Sequence, residues 1–389
     1  MPDLVAVLLP PVAAAPVITD AWAAGRAVLP LDPRAPGPEL RARLAALRPT
    51  HLVDRSGPVT RPDGIPAPDG VAAVVATSGT TGGPKGVELT AAGIEASALA
   101  SSAALGTGPG DHWLACVPLH GVAGLAVLAR ALYGGLALTV HDGFDAAAVM
   151  AEPGVTVASL VPTTLERLLA KGRPDLETVL LGGAPVPPGL VERAAAAGLR
   201  VITSYGLTET FGGVALDGRP IAGAELRLDT GGQIMVRGPM VMRGYAGDPA
   251  ATAAAIDSGG WLATGDLGEF RADGRLRVSG RLRDLVITGG VSVAPDEVEA
   301  VLAQHPGVAD VGVAGRPDPD WGELVVAWVV PADPADPPGL AALRAFAAER
   351  LAPAKAPRAL VLVDALPRNG GGKLLRRLLL DPGNVAGSR

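Results

Sequence analysis

Short apolar runs alternate with longer amphipathic segments through the first half of the chain. Runs rich in Val, Leu and Ala predict strands at residues 4–9, 27–31, 71–76, 112–117, 136–140, 155–160, 177–181 and 199–203. Helical spacing of apolar positions predicts helices at residues 90–105, 121–133, 162–171 and 187–197. Because strands that alternate with helices usually form parallel sheets covered by helices, we predict an α/β fold with stacked, helix-covered sheets.

The pattern changes twice in the second half. Short strands, with a hairpin turn at Ala272-Asp273-Gly274, predict a β-rich subdomain over about residues 213–280; they lie at 225–228, 233–236, 266–271 and 275–279. After Gly280 an α+β pattern follows, with strands at 285–288, 308–314, 323–330 and 359–363 and helices at 295–304 and 339–351. We therefore predict two domains, residues 1–282 and 283–389.

A segment rich in glycine and hydroxyl side chains, residues 77–87, lies between the predicted strand 71–76 and a helix for which Thr90 is a suitable N-cap. Glycines let backbone N–H groups approach a polyphosphate closely, and threonine and serine hydroxyls add donors. The order of elements predicted here is strand, phosphate loop, helix. The segment is not a Walker A loop, because Pro84 stands where that motif has its second glycine. The alternative is a linker.

Lysine is scarce in this chain, and its positions are informative. Of 33 Lys and Arg residues only four are lysine: Lys85, Lys171, Lys355 and Lys373. Lys85 ends the glycine-rich segment, and Lys373 follows three consecutive glycines in Pro367–Lys373. A compact ammonium on a flexible stem can reach a phosphate or a reacting carboxylate as a point charge. We therefore predict a phosphate contact for Lys85 and a mobile arm that carries Lys373; the alternative for the arm is a frayed tail.

Three other polar or glycine-rich segments adjoin predicted strands. Ser204–Thr210 follows strand 199–203, where a tyrosine can stack on a base, a threonine can bind phosphate and a glutamate can hold Mg²⁺. Gly182-Gly183-Ala184 would let a flat ring approach the backbone. Asp266 and Arg281 supply a carboxylate and a guanidinium suited to a ribose. Each segment alone is also compatible with an ordinary polar turn.

Composition excludes several classes of protein. A net charge of −6 argues against nucleic acid or an anionic membrane as a partner. The single cysteine, Cys116, cannot form an internal disulfide, which is typical of a protein from a reducing compartment, and we predict that it is a core residue. No apolar run reaches the ~20 residues of a membrane-spanning helix, and the N-terminus lacks a cationic leader. We therefore expect a cytoplasmic protein.

Five segments together resemble the motifs of the adenylate-forming superfamily, which holds acyl- and aryl-CoA ligases, peptide-synthetase adenylation domains and luciferases. The segments, which occur in the family's order and spacing over essentially the whole chain, are residues 77–87, 204–210, 264–266, 280–284 and 367–373. The resemblance implies a two-step reaction with ATP, Mg²⁺ and coenzyme A. A carboxylate attacks the α-phosphorus of ATP and releases pyrophosphate, and a thiol then displaces AMP.

The resemblance also implies a role for each motif. Lys85 and its loop would hold the β- and γ-phosphates, Thr208 the α-phosphate and Glu209 the Mg²⁺, while Lys373 would bridge the carboxylate and the α-phosphate. These four are the expected catalytic residues. The expected nucleotide-binding residues are Thr77, Ser78, Gly79, Thr80, Thr81, Gly82, Lys85, Gly182, Gly183, Ala184, Tyr205, Gly206, Thr208, Asp266 and Arg281.

The family's small C-terminal α+β domain is mobile and rotates between the two steps. The implied pivot is Arg283, with Asp284 beside it, and rotation would bring Gly289 and Gly290 to line the thiol channel. The expected acid-pocket residues are His120, Gly121, Phe211 and Gly212.

Among family members, the chain is most similar to short o-succinylbenzoate–CoA ligases of menaquinone synthesis, through residues 117–125, 181–185 and 205–213. It departs from many of them at Gly121, where they carry histidine or an aromatic side chain. Two alternatives stay open: an adenylating enzyme whose acceptor is a carrier-protein thiol, an amine or another small molecule, and a non-catalytic nucleotide-binding relative.

Overall fold

The structure, a computed structural model, describes residues 1–78, 84–368 and 374–381. The chain divides into two compact units. The first comprises Met1–Gly183, Glu192–Arg227 and Met235–Thr264, and the second comprises Ala184–Val191, Leu228–Ile234 and Gly265–Arg389. The domain boundary predicted after residue 282 stays a prediction.

The first half of the chain has the predicted alternation of strands and helices. It begins with β1 (Leu4–Val7), α1 (Pro11–Ala23), β2 (Ala27–Pro30), α2 (Gly37–Leu47), β3 (His51–Asp54), β4 (Gly57–Thr60), β5 (Val71–Ser78), β6 (Pro84–Thr90) and α3 (Ala91–Leu105). It continues with β7 (His112–Ala115), α4 (Val122–Gly134), β8 (Ala137–Val140), α5 (Ala146–Ala151), β9 (Val157–Leu160), α6 (Pro162–Leu169), β10 (Thr178–Gly182), α7 (Leu190–Ala196) and β11 (Arg200–Leu207).

Short strands dominate the next part, and an α+β arrangement follows. The strand-rich part has β12 (Gly212–Leu216), β13 (Arg219–Pro220), β14 (Glu225–Leu228), β15 (Gln233–Arg237), β16 (Gly244–Tyr245), α8 (Pro249–Ala255), β17 (Leu262–Phe270) and β18 (Leu276–Arg281). The last part has β19 (Val286–Thr288), β20 (Val291–Val293), α9 (Pro295–Leu302), β21 (Val308–Asp318), β22 (Gly322–Pro331), α10 (Leu340–Ala348) and β23 (Ala359–Leu362).

Two seven-stranded sheets organise the first unit. Their strand orders are β16-β6-β5-β2-β1-β3-β4 and β13-β12-β11-β10-β9-β7-β8. Pairing is parallel from β5 through β2 and β1 to β3, and from β11 to β8 in the second sheet. The remaining strands of the two sheets, β4, β6, β12, β13 and β16, pair antiparallel. Apolar side chains of α1, α3 and α4 pack with strand residues into one core, in which Ile18, Ile94 and Leu125 are fully buried. The predicted α/β class with helix-covered sheets is confirmed.

The predicted order of strand, phosphate loop and helix is wrong in one respect. A second strand, β6, pairs antiparallel with β5 before the helix begins at Ala91. Val87 and Leu89 alternate onto the core, while the intervening Glu88 forms an ion pair with Arg243 at 2.6 Å, and this period of two favours a strand. The N-cap prediction is confirmed, because Thr90 Oγ1 accepts a hydrogen bond from the backbone N–H of Gly93 at 3.0 Å.

The smaller sheets lie later in the chain. One four-stranded sheet has the order β14-β15-β17-β18, and its strands match those predicted there. In the second unit β20, β19, β22 and β21 form a sheet in that order, with β23 against β22. Helices α9 and α10 supply Val298, Leu302 and Leu343 to the core on this sheet, as the predicted α+β pattern requires.

Two expectations about burial and membrane segments can be compared with the structure. Cys116 is a free thiol and is 1% exposed, which confirms it as a core residue. Burial raises the pKa of its thiol to about 12, so that it is a poor nucleophile. Across the described ranges, each helix is too short or too polar to cross a membrane.

Candidate active site

Strand β6, which pairs antiparallel with β5, carries Lys85, close in sequence to the glycine-rich segment. Thr77 and Lys85 are directly opposite each other in the pairing, and Thr77 Oγ1 donates a hydrogen bond to the Lys85 carbonyl at 3.4 Å. The backbone of Lys85 is therefore fixed by a strand and not by a helix terminus. The predicted phosphate-binding residues Gly79, Thr80, Thr81 and Gly82 lie outside the described residues.

Glu209 occupies a short 3₁₀ turn, Thr208–Thr210, directly after β11. Thr210 Oγ1 secures the turn: it accepts a hydrogen bond from the Leu207 N–H at 3.0 Å and donates to the Gly212 carbonyl at 2.8 Å. The segment Ser204–Leu207 belongs to β11 itself, so the prediction that it follows the strand is wrong. Strand β12 pairs with these residues and extends β11 beyond its parallel neighbour β10, which ends at Gly182 opposite Ser204.

A tyrosine links Glu209 with Lys85. The Tyr245 hydroxyl donates a hydrogen bond to Glu209 Oε1 at 3.0 Å, and the Lys85 Nζ lies 5.2 Å from the centroid of the Tyr245 ring. The backbone N–H of Met242 also donates to the Glu209 carbonyl at 2.7 Å. Burial, and then the charge of Glu209, raises the pKa of the Tyr245 phenol, so it stays protonated and acts as a donor. One cation and one carboxylate are thus held together around a single ring.

Glycines near these strand ends have packing reasons of their own. A Cβ at Gly206 would overlap the carbonyl group of Gly212, and a Cβ at Gly182 would lie 3.1 Å from the Ser204 carbonyl oxygen. Gly183 has a φ of +81°, in the region that favours glycine. Gly182 and Gly206 therefore need glycine for the close approach of β11 and its neighbours, and Gly183 needs it for its backbone conformation. Of the other residues predicted to contact adenine, Tyr205 lies on β11 beside Gly206, and Ala184 follows Gly183.

Asp266 and Arg281 meet across a strand pair in the second unit. They are directly opposite each other on β17 and β18, and Arg281 Nε lies 3.0 Å from Asp266 Oδ1. Asp266 is buried, whereas the Arg281 side chain is 30% exposed. The predicted acid and base are therefore partners in one ion pair.

The four predicted acid-pocket residues all lie in the first unit. His120 Nε2 is 3.8 Å from Asp32 Oδ2; burial lowers the pKa of His120, and the Asp32 charge opposes that shift. Gly121 is the N-cap of α4, and a Cβ there would come no closer than 3.8 Å to the Pro118 carbonyl oxygen. Phe211, next to Gly212, is 1% exposed and packs in the core. Their role as pocket walls stays a prediction.

The residues predicted for the pivot and the thiol channel lie in the second unit. Arg283 and Asp284 form part of a 3₁₀ turn, with 3.7 Å between Arg283 Nε and Asp284 Oδ1. Gly289 and Gly290 connect β19 to β20 with φ values of +55° and +78°. Lys373 lies outside the described residues.

Comparison with known proteins identifies the family. The sequence matches the AMP-binding enzyme family over residues 53–246 and the AMP-binding enzyme C-terminal domain over residues 297–373. A 2-succinylbenzoate–CoA ligase of Bacillus licheniformis is 39% identical over 349 residues, 83% of this chain and 72% of that protein. The chain belongs to the AMP-binding enzyme family.

Solved structures agree in fold. The o-succinylbenzoate CoA synthetase of Bacillus subtilis, in complex with its acyl-adenylate intermediate, superposes with a TM-score of 0.87 at 31% identity, over 97% of this chain and 88% of that one. The same enzyme has been solved with ATP and magnesium. An amide bond synthetase from Marinactinospora thermotolerans also has a TM-score of 0.87, at 30% identity over 97% and 89% of the two chains. The adenylate-forming fold expected from the motifs is thereby confirmed.

Tyr245 contacts two predicted site residues, Glu209 and Lys85, but was not itself predicted from the sequence. It lies on the two-residue strand β16, where it pairs with Val87 of β6. The pairing is between segments far apart in the chain, which local pattern cannot reveal. One signal was present: the chain has only three tyrosines, and Tyr245 directly follows a glycine.

The donor set around Glu209 suits magnesium held mainly by a nucleotide. Among the described residues there is no group of three or more His, Cys, Asp or Glu side chains that could hold a metal ion. Mg²⁺ usually keeps several waters and binds through one or two carboxylates together with substrate phosphates. A single oriented carboxylate beside the cation Lys85 fits that mode of binding in an AMP-binding enzyme.

Proposed function

We propose that this AMP-binding enzyme is a 2-succinylbenzoate–CoA ligase. In the first step a carboxylate oxygen of 2-succinylbenzoate attacks the α-phosphorus of ATP; the bond to the β-phosphate oxygen breaks, and pyrophosphate leaves. In the second step the CoA sulfur attacks the carbonyl carbon of the acyl-adenylate, AMP leaves, and the thiol proton passes to solvent. The choice of acid rests on the named relatives, and the adenylation chemistry rests on the residues described below.

The observation that carries the proposal is the arrangement of Lys85, Tyr245 and Glu209. The Lys85 ammonium, which follows a glycine-rich segment in sequence, lies 5.2 Å from the Tyr245 ring centroid, and the Glu209 carboxylate at a strand end lies 3.0 Å from the Tyr245 hydroxyl. Cleavage of ATP at the α-phosphorus leaves negative charge on pyrophosphate, and a fixed cation stabilises that charge without reorganisation. We assign Lys85 to the β- and γ-phosphates.

Glu209 would hold magnesium together with phosphate oxygens. When bound, the ion supplies positive charge that neutralises the phosphate oxygens. Tyr245 keeps the Glu209 carboxylate in one orientation, because its hydroxyl donates to Oε1 and its raised pKa keeps the proton on the phenol. Thr208, the first residue of the same turn, would donate to an α-phosphate oxygen.

The remaining roles are assigned by motif. Asp266 would accept hydrogen bonds from the ribose hydroxyls, and its ion pair with Arg281 would hold the carboxylate in place for that contact. Tyr205, Gly206 and the stretch Gly182–Ala184 would contact the adenine. Lys373 would act in the first step, where it neutralises charge that develops between the acid and the α-phosphate.

The rotation between steps and the acceptor channel are also proposals. Arg283, with Asp284 beside it, would be the pivot of the C-terminal domain, residues 283–389. Gly289 and Gly290 would line the path of the CoA thiol after rotation. His120, Gly121, Phe211 and Gly212 would face the acid.

An acid panel tests the substrate. Purified enzyme with ATP and Mg²⁺ is given 2-succinylbenzoate, medium-chain fatty acids, malonate and aminobenzoates, and pyrophosphate release is measured for each acid. We expect release with 2-succinylbenzoate at the highest kcat/KM, followed by a CoA thioester when CoA is added. Preference for another acid would overturn the substrate assignment, and absence of release with every acid would overturn the adenylation chemistry.

A second acceptor class is supported by one observation. The amide bond synthetase from Marinactinospora thermotolerans matches this fold as well as the CoA synthetase does. The alternative function is therefore adenylation followed by transfer to an amine, or to a carrier-protein thiol. If acid, ATP and Mg²⁺ give pyrophosphate but CoA yields no thioester, while an amine or a pantetheinylated carrier is acylated, the alternative is correct.

A further inference from the structure

The chain on both sides of position 373 is tied to the second unit by arginines. Arg368 and Leu374 form an antiparallel bridge, and the Leu375 N–H donates to the Pro367 carbonyl at 2.8 Å. Pro367 and Arg368 therefore lie beside Leu374 and Leu375. Arg368 Nη2 contacts both carboxylate oxygens of Asp310 on β21, at 2.8 and 3.0 Å.

Arg376 is the centre of a more extensive cluster. Its guanidinium contacts Asp284 at 3.1 Å, Glu299 at 2.8 Å and Asp296, and its Nε donates to the Val313 carbonyl at 3.1 Å. The Arg376 side chain is 17% exposed, and its three carboxylate partners are 15–23% exposed. Partly buried, forked contacts of this kind need a guanidinium, because an ammonium cannot reach several carboxylates in one plane.

The partners of Arg376 lie on separate elements. Asp284 belongs to the 3₁₀ turn that follows Arg281, whereas Asp296 and Glu299 lie one turn apart on α9. Glu299 also accepts the Val313 N–H of β21 at 2.7 Å. One side chain, three positions after Lys373, thus joins that part of the chain to the turn beside Arg283 and to a helix of the core.

We propose that Arg376 is a positioning residue for the adenylation step. It fixes the chain that follows Lys373 onto Asp284, Asp296 and Glu299, while Arg368 and Asp310 fix the chain that precedes it. The proposal rests on the proposed function, since only that function assigns Lys373 to the first step. A positioning role differs from a purely structural one, because it affects the step that uses Lys373 and spares the other.

The test measures both half-reactions in one preparation of the full-length enzyme. Arg376→Gln and Arg376→Lys are assayed for pyrophosphate release from acid and ATP, and for thioester formation from the supplied acyl-adenylate and CoA. We expect Arg376→Gln to lower kcat of adenylation by up to ~10²-fold, the loss expected from a misplacement of about 1 Å. Thioester formation keeps most of its rate, and this also shows that the variant is folded.

Two further variants separate positioning from general stabilisation. Lys355→Gln removes an ion pair with Glu297, also on α9, at 2.6 Å, and should leave the ratio of the two half-reactions unchanged. In a Lys373→Ala background, Arg376→Gln should cause little additional loss of adenylation, because both variants then act through the same group. Arg368→Gln should have the same selectivity as Arg376→Gln with a smaller loss, since its ion pair is more exposed.

The outcomes are distinguishable. The positioning role would be overturned if Arg376→Gln lowered both half-reactions equally, or if its effect on adenylation were undiminished in the Lys373→Ala background. The proposed function would still hold in either case, provided that the wild-type enzyme catalyses adenylation. A wild-type enzyme without acid-dependent pyrophosphate release would overturn the proposed function, and the positioning role with it.

Discussion

The Tyr245 phenol donates its hydrogen bond to Glu209 Oε1 across 3.0 Å, and its ring lies 5.2 Å from the Lys85 ammonium. The Lys85 ammonium and the Glu209 carboxylate, from distant parts of the chain, therefore contact the same neutral side chain. Because Oε1 accepts this hydrogen bond, the second carboxylate oxygen of Glu209 is the one suited to a cation. Substitution of Tyr245 is therefore the most direct test of how Glu209 is oriented.

Tyr245→Phe should slow adenylation. A hydrogen bond to a charged group contributes about 1.5–3 kcal/mol, so the variant should lose roughly 10- to 100-fold in kcat/KM for ATP if that bond orients Glu209 for catalysis. Pyrophosphate release at varied ATP and Mg²⁺ concentrations measures the loss. Tyr133→Phe, outside the proposed site, is the matched control; an equal effect of both variants would contradict the role of Tyr245.

Lys373→Ala should separate the two steps. Adenylation loses the cation assigned to the reacting oxygens, whereas thioester formation from supplied acyl-adenylate proceeds at nearly the wild-type rate. Rapid quenching of each half-reaction gives both rates. Loss in equal proportion would show that Lys373 is not specific to the first step.

Gly289→Ala should impair capture of CoA more than adenylation. An added Cβ would lie 2.9 Å from Cε3 of Trp321, whose ring is stacked under the Arg358 guanidinium at 3.5 Å. Either the ring or the turn assigned to the thiol path must therefore shift. The measured quantity is the rate of thioester formation from acyl-adenylate over a range of CoA concentrations.

Gly274→Ala is the control for backbone strain at Gly289. Gly274 has a φ of +77°, and a Cβ there meets no atom within 4 Å. Both variants place alanine in the left-handed region, at about 1–2 kcal/mol each, but only at Gly289 does the added Cβ meet a ring. Similar rates of CoA capture in the two variants would remove Gly289 from the thiol path.

Glu299→Gln should change the pH dependence of stability. Burial raises the pKa of Glu299 to about 7, with the Asp296 charge in the same direction and the Arg376 charge opposed. An unfolded glutamate has a pKa near ~4.3, so between ~4.3 and ~7 the folded state binds the extra proton and the free energy of unfolding falls as pH rises.

The Gln variant lacks this titration, and its stability relative to wild type should therefore increase from pH 5 to pH 8. Urea unfolding at several pH values, followed by tryptophan fluorescence, measures the difference in the free energy of unfolding. Glu349→Gln, at a carboxylate that is 70% exposed, is the control. A difference between the Glu299 variant and wild type that does not vary with pH would contradict the raised pKa.

Several features of the fold could be predicted because they depend on neighbouring residues. Thr90 is an N-cap because its hydroxyl reaches a backbone N–H three residues later. The apolar runs at Val71–Ser78 and Thr178–Gly182 form strands because a short run of small and β-branched residues suits a covered sheet. The motif order identified the adenylate-forming fold for the same reason: each motif is a local unit.

The errors have a common cause in strand pairing. Pro84–Thr90 is a strand because β5 and β16 lie on either side of it, and the segment from Ser204 to Leu207 extends β11 because β12 pairs with it. β5 and β12 are neighbours of these segments in the chain, whereas β16 joins β6 from a distant part of it. The same applies to Tyr245, which reaches Glu209 from 36 residues away.

Residue type and spacing thus predicted the scarce lysines, the glycine-rich segments and the carboxylates as site residues. The tertiary structure decided which of them meet: Lys85 and Glu209 through Tyr245, Asp266 with Arg281, and Arg376 with three carboxylates. The physical reason is that residue type and spacing limit what a group can bind, whereas its partners depend on which strands and helices the whole chain brings together.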